Sequence, residues 1–313
     1  DTTWIGDPAA SRVLVLMSGV HGAEGYAGSA LQTDLLRQAG ALPCDADIAV
    51  LLVHALNSHG FAWDRRVTEE GCDLNRNFLD FDQPLPDNAG YDVLADWLVP
   101  PASDPVTLAD AEDAIARFRA QHGERVFQAA RKSGQYAHPT GMFYGGRAKT
   151  AAHRSLEAIF AEYRLDKRTF VAVVDVHTGL GPFGYGEAQS EHLPDSLSHA
   201  LLGQAHGPSL ASVEGGTSFS VPLNGTMLQF WESRLGDGRY SYLCLEFGTY
   251  DQETSRLLYR REHCFRRTGG DPLSEEGRAI RHAMRAFFCP DVPEWQEMLM
   301  FRGGLLVERG IFG

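Results

Sequence analysis

The sequence has 313 residues, 43% of them apolar and 22% charged, an ordinary globular composition that excludes a disordered or membrane-embedded chain. Its net charge of −13 argues against a general nucleic-acid binder, which needs a basic face, and no run of about 18 apolar residues is present to span a membrane. Five cysteines, Cys44, Cys72, Cys244, Cys264 and Cys289, are odd in number and include no Cys-x-x-Cys pair, which excludes a disulfide framework or a zinc knuckle and points to a reducing, cytoplasmic setting. No signal peptide opens the chain, and Asp1 leads almost at once into a strand, which leaves room for an upstream segment.

Taken in order, Arg12-Val-Leu-Val-Leu-Met17 has the length and β-branched content of a buried strand. It runs into a glycine-rich turn in which His21 and Glu24 flank Gly22, and a helical pattern follows over Tyr26–Gln38. Asp47–His54 is a second buried strand, so strand, helix and strand form a right-handed crossover unit with parallel strands. The polar stretch from Ala55 to Phe78 reads as a long loop, and loops of that length inside a compact domain are usually functional. Residues Asp80–Pro105, rich in Pro, Asp and Gly, read as irregular surface, with helices expected at about Leu108–Ser133 and Ala148–Tyr163. Between these helices, Gly134–Gly146 is a turn-rich loop carrying three aromatics.

Arg168–His177 is the strongest strand pattern, followed by Thr178-Gly179 and a glycine-rich run to Glu187. A helix over Pro194–Ala205, a short strand near Ala211, a helix over Gly225–Arg234 and a buried strand over Tyr240–Phe247 complete the sheet. From Thr254 to about Phe288 the pattern is helical, and a short tail closes the chain. The expected fold is α/β, a mixed, mainly parallel sheet sandwiched by helices, in one catalytic domain over 1–313 with an insertion at about 80–148.

An imidazole and a carboxylate three residues apart on one turn, His21 and Glu24, can converge on one cation. Zinc binds nitrogen and carboxylate oxygen at about 2.0–2.2 Å and needs a third protein ligand in a catalytic site. His177 ends its strand as His21 does, and sites of open α/β sheets form beyond the carboxyl ends of the strands, so His177 is the candidate third ligand. The long loop brings Arg66, Asn75 and Arg76, residue types that grip a carboxylate and polarise a carbonyl; the bland alternative is solvated loop charge. Glu246, near the end of an apolar strand, is costly to bury without a partner, which is either a water it deprotonates or an arginine. Asp175 shares a strand face with His177 and is placed to orient a ligand histidine. Glu187, Tyr136, His138 and Tyr144 are weaker candidates for substrate contacts, with packing roles favoured for each.

The set His21-Gly-Ala-Glu24, Arg66 with Asp73-Leu-Asn-Arg-Asn-Phe78, His177 and Glu246 occurs in the order used by the zinc carboxypeptidases of the M14 type, which the chain resembles. The phrases Ser18-Gly-Val-His-Gly-Ala-Glu-Gly-Tyr-Ala-Gly28, Asp175-Val-His-Thr-Gly-Leu-Gly181 and Glu246-Phe-Gly-Thr249 further resemble the DUF2817 branch, which borders the succinylglutamate desuccinylase/aspartoacylase group. The resemblance spans Arg12 to Phe288. It implies that His21, Glu24 and His177 bind one zinc ion per chain and that Glu246 is the general base for the metal-bound water. It further implies that Arg66 stabilises the oxyanion and that Asn75 and Arg76 hold a substrate carboxylate. One departure stands out: the mobile tyrosine of carboxypeptidases has no direct match, and Trp231, Tyr240 or Tyr242 is expected in its place.

The expected activity is therefore zinc-dependent hydrolysis of an amide in a small molecule or peptide with a free carboxylate. Three alternatives stay open: an N-acyl amino acid deacylase of the aspartoacylase/desuccinylase type, a non-catalytic binding domain of the same fold, and an iron enzyme built on two histidines and a carboxylate.

Overall fold

The computed structural model describes residues 1–38 and 47–312, so Cys44 lies outside the described residues. Its strands are β1 (Thr2–Ile5), β2 (Arg12–Ser18), β3 (Ile48–Val53), β4 (Phe170–Thr178), β5 (Gly186–Ser190), β6 (Leu210–Ser212) and β7 (Tyr240–Phe247). The helices are α1 (Gly25–Gln38), α2 (Ser58–Ala62), α3 (Ala89–Leu98), α4 (Pro105–His122), α5 (Glu124–Lys132), α6 (Ala151–Glu162), α7 (Leu197–His206), α8 (Met227–Glu232), α9 (Gln252–Arg267), α10 (Glu275–Phe288) and α11 (Pro293–Phe312).

The near-continuous apolar runs β2, β3, β4 and β7 form the parallel centre of the sheet, where both faces are covered. The full strand order is β1-β3-β2-β4-β7-β5-β6, with β1 and β5 pairing antiparallel to their inner neighbours. Alternation along β2 separates the two cores. Val13, Val15 and Met17 pack with Leu156 of α6 and Phe230 and Trp231 of α8, while Leu14 and Leu16 pack with Leu31 of α1 and Trp295 and Leu299 of α11. The mixed, mainly parallel sheet between helical layers is thus the architecture that the sequence pattern indicates.

Several expectations are corrected. Asp80–Pro105 is not wholly irregular, because Tyr91, Leu94, Ala95 and Leu98 make an i, i+3, i+4, i+7 stripe on α3. The helix expected over Leu108–Ser133 is two helices, α4 and α5, broken at Gly123, whose φ of +85° is not helical. The expected C-terminal tail is the twenty-residue helix α11. The end of the glycine-rich run and the three residues after Glu187 form β5, a buried strand despite its polar sequence, because β7 and β6 flank it. Helices α3, α4 and α5 join α9 and α10 in a third apolar cluster that includes Tyr91, Ile115, Phe127, Tyr259 and Phe288. No helix among the described residues is long and apolar enough to cross a membrane.

Candidate functional site

The turn after β2 is built on a close approach between two backbones. A Cβ on Gly22 would stand 1.9 Å from the carbonyl carbon of Gly60, so only glycine lets the Ala55–Phe78 loop dock here. The docking is held by Ala23 N–H donating to the Arg65 carbonyl at 2.8 Å. It brings Arg66 and Asp73 beside His21 and Glu24.

At the carboxyl ends of β2 and β4, His21, Glu24 and His177 converge. Among the described residues they are the one group of three histidine, cysteine or acidic side chains whose donor atoms all lie within 4.8 Å of one another. His21 Nδ1 is 3.0 Å from Glu24 Oε1, His177 Nδ1 is 3.0 Å from Glu24 Oε2, and the two Nδ1 atoms are 3.2 Å apart. Donors about 2.0–2.1 Å from a tetrahedral zinc stand about 3.3 Å from one another, so these spacings fit the edges of such a site. The outer ring nitrogens are also occupied: His21 Nε2 lies 3.0 Å from Asp73 Oδ1, and His177 Nε2 lies 2.9 Å from Asp175 Oδ2. A buried carboxylate behind each imidazole fixes its tautomer and turns the inner nitrogen towards the centre as an acceptor. The donor set therefore fits zinc, and Asp175 lies within hydrogen-bond distance of His177.

Charge coupling in the cluster is strong. Burial would raise the Glu24 carboxyl, but His21 and His177 outweigh it and hold the group well below the ordinary range. Burial would lower His177, yet Asp175 and Glu24 hold it well above the ordinary imidazole value. Asp73 is likewise held well below its usual value against burial, chiefly by Arg66.

Glu246 is the register partner of His177 on the neighbouring strand. Its Oε1 accepts the Leu180 N–H at 3.0 Å, and burial together with the Glu24 charge pushes its carboxyl up to about 8. Arg66 donates from Nε to Asp73 Oδ2 and from Nη1 to Glu24 Oε1, both at 2.8 Å, and Nη1 also reaches the Tyr259 hydroxyl at 3.1 Å. No hydrogen bond among the described residues engages its Nη2. Asn75 accepts the Met227 N–H through Oδ1 at 2.7 Å, which leaves its Nδ2 to the cavity. Arg76 is anchored by Nε and Nη2 donating to the Lys132 carbonyl at 3.0 and 2.8 Å.

One cavity is lined by all seven expected residues, His21, Glu24, Arg66, Asn75, Arg76, His177 and Glu246. Of the three residues expected in place of the mobile tyrosine, none lines it. Trp231 is buried against Phe160 and Phe230, Tyr240 is core, and the Tyr242 hydroxyl donates to Asp175 at 3.0 Å. Tyr259 of α9 lines the cavity instead. The weaker candidates also lie outside the lining: Tyr136 donates to the Arg76 carbonyl, His138 pairs with Asp92, Glu187 accepts from Gln189 and Ser218, and Tyr144 is buried with its carbonyl bound to Asp73 N–H. Residues that sequence reasoning missed are Asp73 as the partner of His21, and the cavity residues Tyr259, Glu191, Arg131 and Lys132. Only Asp73 had a signal, its place in the Asp-Leu-Asn-Arg-Asn-Phe string.

No curated protein matches the chain. Among solved structures, it is similar to succinylglutamate desuccinylase from Chromobacterium violaceum, with 16% identity and a TM-score of 0.40 over 91% of this chain and 62% of that one. The murein-tripeptide amidase from Escherichia coli O157 gives 15% identity and a TM-score of 0.38 over 84% and 85% of the two chains. Carboxypeptidase A from Helicoverpa armigera gives 13% and 0.41 over 91% and 65%. The chain thus spans less than two thirds of the length of the desuccinylase and of the carboxypeptidase. A family model described as "Protein of unknown function (DUF2817)" matches residues 1–302, and the chain belongs to that family.

Proposed function

We propose that the protein is a zinc-dependent hydrolase that cleaves an amide bond in a small substrate carrying a free carboxylate. The observation that carries this reading is the convergence of two Nδ1 atoms and the Glu24 carboxylate at 3.0–3.2 Å, with a buried carboxylate behind each imidazole and Glu246 beside them. When bound by His21, Glu24 and His177, zinc supplies Lewis acidity, acidifying water and polarising a carbonyl oxygen. Glu246 takes the proton of the attacking water on Oε2, since Oε1 is engaged by Leu180 N–H, and returns it to the leaving nitrogen. Arg66 offers Nη2 to the negative charge that develops on the carbonyl oxygen, and its ties to Asp73 and Glu24 hold the guanidinium in place before the reaction. Asn75 Nδ2 and the Arg76 guanidinium bind the free carboxylate and set which amide reaches Glu246.

The test is metal content per chain on protein purified without added metal or chelator, followed by a screen of peptides and N-acyl amino acids. About one zinc per chain, lost in a His21→Ala, His177→Ala double variant, together with amide cleavage, supports the reading. Absence of metal and of zinc uptake overturns it and favours a binding domain.

A further inference from the structure

Several buried or half-buried arginines elsewhere in this molecule are paired with carboxylates. Arg66 has Asp73 and Glu24, Arg65 has Glu262, and Arg256 and Arg260 share Glu112. Three cations without such a partner line the same cavity: Arg76, Arg131 and Lys132. Among the described residues none of them makes an ion pair with a carboxylate. Arg76 donates to backbone carbonyls, Arg131 Nη2 donates to the neutral Gln128 amide at 3.0 Å, and Lys132 Nζ donates to the neutral Gln252 amide at 2.7 Å. Arg131 is 2% exposed, and its buried Nε has no hydrogen-bond partner. Glu191 and Glu246 share the lining, but neither reaches ion-pair distance of these cations. Leaving buried charge without a counter-ion is costly, so a cluster of this kind is stabilised by an anion that arrives from outside.

We propose that the end of α5 forms a second anion subsite, in which Arg131 and Lys132 bind a second carboxylate of a substrate whose first carboxylate is held by Asn75 and Arg76. The preferred substrates are then acidic: the group cleaved or the group retained carries a side-chain or acyl carboxylate. This rests on the amide-hydrolase reading for the role of the first carboxylate. The two positions lie outside every sequence motif that points to the candidate metal centre. Burial and the neighbouring Arg131 and Arg66 lower the Lys132 ammonium to about 7, so a bound anion also recovers the charge that the empty site disfavours.

Glutarate and its monoamide, 4-carbamoylbutanoate, have the same length and differ by one charge. Their binding to the full chain is measured by calorimetry at pH 6, before and after addition of one equivalent of zinc. Wild-type protein is expected to bind glutarate about tenfold more tightly or better, the effect of one charge-assisted contact, with and without zinc. Lys132→Met is expected to bring the two affinities together, and Lys132→Arg to restore the difference. Equal binding of the two probes, binding of neither, or an undiminished preference in a folded Lys132→Met variant overturns the subsite. Amide cleavage is scored separately. Cleavage without a glutarate preference removes the subsite and keeps the hydrolase, whereas the preference without cleavage keeps the subsite and removes the hydrolase.

Discussion

His177 on β4 and Glu246 on β7 face each other in register across adjacent parallel strands. Paired positions in a parallel sheet project from the same face, so the proposed ligand and the proposed proton acceptor are fixed side by side by strand pairing rather than by loop conformation. Replacing Glu246 by Gln keeps its size and the Leu180 N–H bond while removing the proton acceptor. The expected outcome is a fall in kcat of about 10²–10⁴-fold, with KM nearly unchanged and one zinc still bound. Loss of zinc in this variant would show that Glu246 serves the metal instead.

Asp73 and Asp175 are fully buried and stand behind the two imidazoles at 3.0 and 2.9 Å. Asp175→Asn keeps the shape and removes the charge that fixes the His177 tautomer. Zinc affinity, followed by competition with a chelating dye, is expected to weaken by about 10–100-fold, and zinc should then raise the melting temperature by less than in the wild type. Unchanged affinity would make Asp175 a packing residue with Tyr242.

Arg66 is paired with the buried acids Asp73 and Glu24, and in the proposed reaction it also meets the developing oxyanion. Arg66→Ala is therefore expected to lower kcat by about 10²–10³-fold and also to destabilise the fold by about 3–5 kcal/mol, because two buried carboxylates lose a partner. Tyr259→Phe separates the effects. It deletes only the hydroxyl that accepts from Arg66 Nη1, which is worth about 0.5–1.5 kcal/mol, so kcat should fall by about tenfold or less with zinc content and melting temperature nearly intact. An effect on KM alone would place Tyr259 against the substrate rather than behind Arg66.

The centre was legible because its residues sit where strand patterns end. His21, His177 and Glu246 are read from apolar runs that stop at a polar residue, and Asp175 from the two-residue period of a strand. The charged rim was not legible in the same way. Arg131, Lys132 and Tyr259 lie on helices whose amphipathic pattern reports only which face is buried, and their place at the cavity is set by how α5 and α9 pack. Helix α11 was missed for another reason: Gly303-Gly304 interrupts its pattern. Yet a Cβ on Gly303 would stand 2.6 Å from Leu31 Cδ2, so the glycine that obscures the helix is what lets it lie close against α1.

The same logic predicts the outcome at Gly22. A methyl group there meets the Gly60 carbonyl carbon at 1.9 Å and the Phe61 nitrogen at 2.1 Å, and both are backbone atoms with no rotamer to yield. Gly22→Ala is expected to cost at least about 1–3 kcal/mol, the usual range for overpacking, and to weaken zinc binding because the Arg66 loop is displaced from the ligand turn. Thermal melts with and without zinc check both effects, and a melting temperature equal to wild type would show that the close approach is not needed.

Lys132 supplies the pH dependence of the cavity. Its ammonium titrates near 7, well below the ordinary lysine value of about 10.4. The folded protein thus binds fewer protons than the unfolded chain between about 7 and 10.4, and this lysine's penalty on stability shrinks as pH rises through that window. Anion binding runs the other way, because it needs the charged form. The groups facing Lys132 are Arg131 on its own helix, Arg66 and Arg76 from the long loop, Glu246 from β7 and Gln252 from α9. Deprotonation of Glu246, pushed up to about 8, repels the dianion more than the monoanion and lowers the ratio too, so Lys132→Arg, in which Glu246 still titrates, measures that part separately. The preference for glutarate over its monoamide is therefore expected to be flat below pH 7 and to fall by up to about tenfold per unit above it, until the neutral lysine no longer distinguishes the probes. In Lys132→Arg, whose guanidinium stays charged, the preference should fall less between pH 7 and 9 than in the wild type. A wild-type preference that is constant from pH 6 to 9 would assign the discrimination to Arg131 alone.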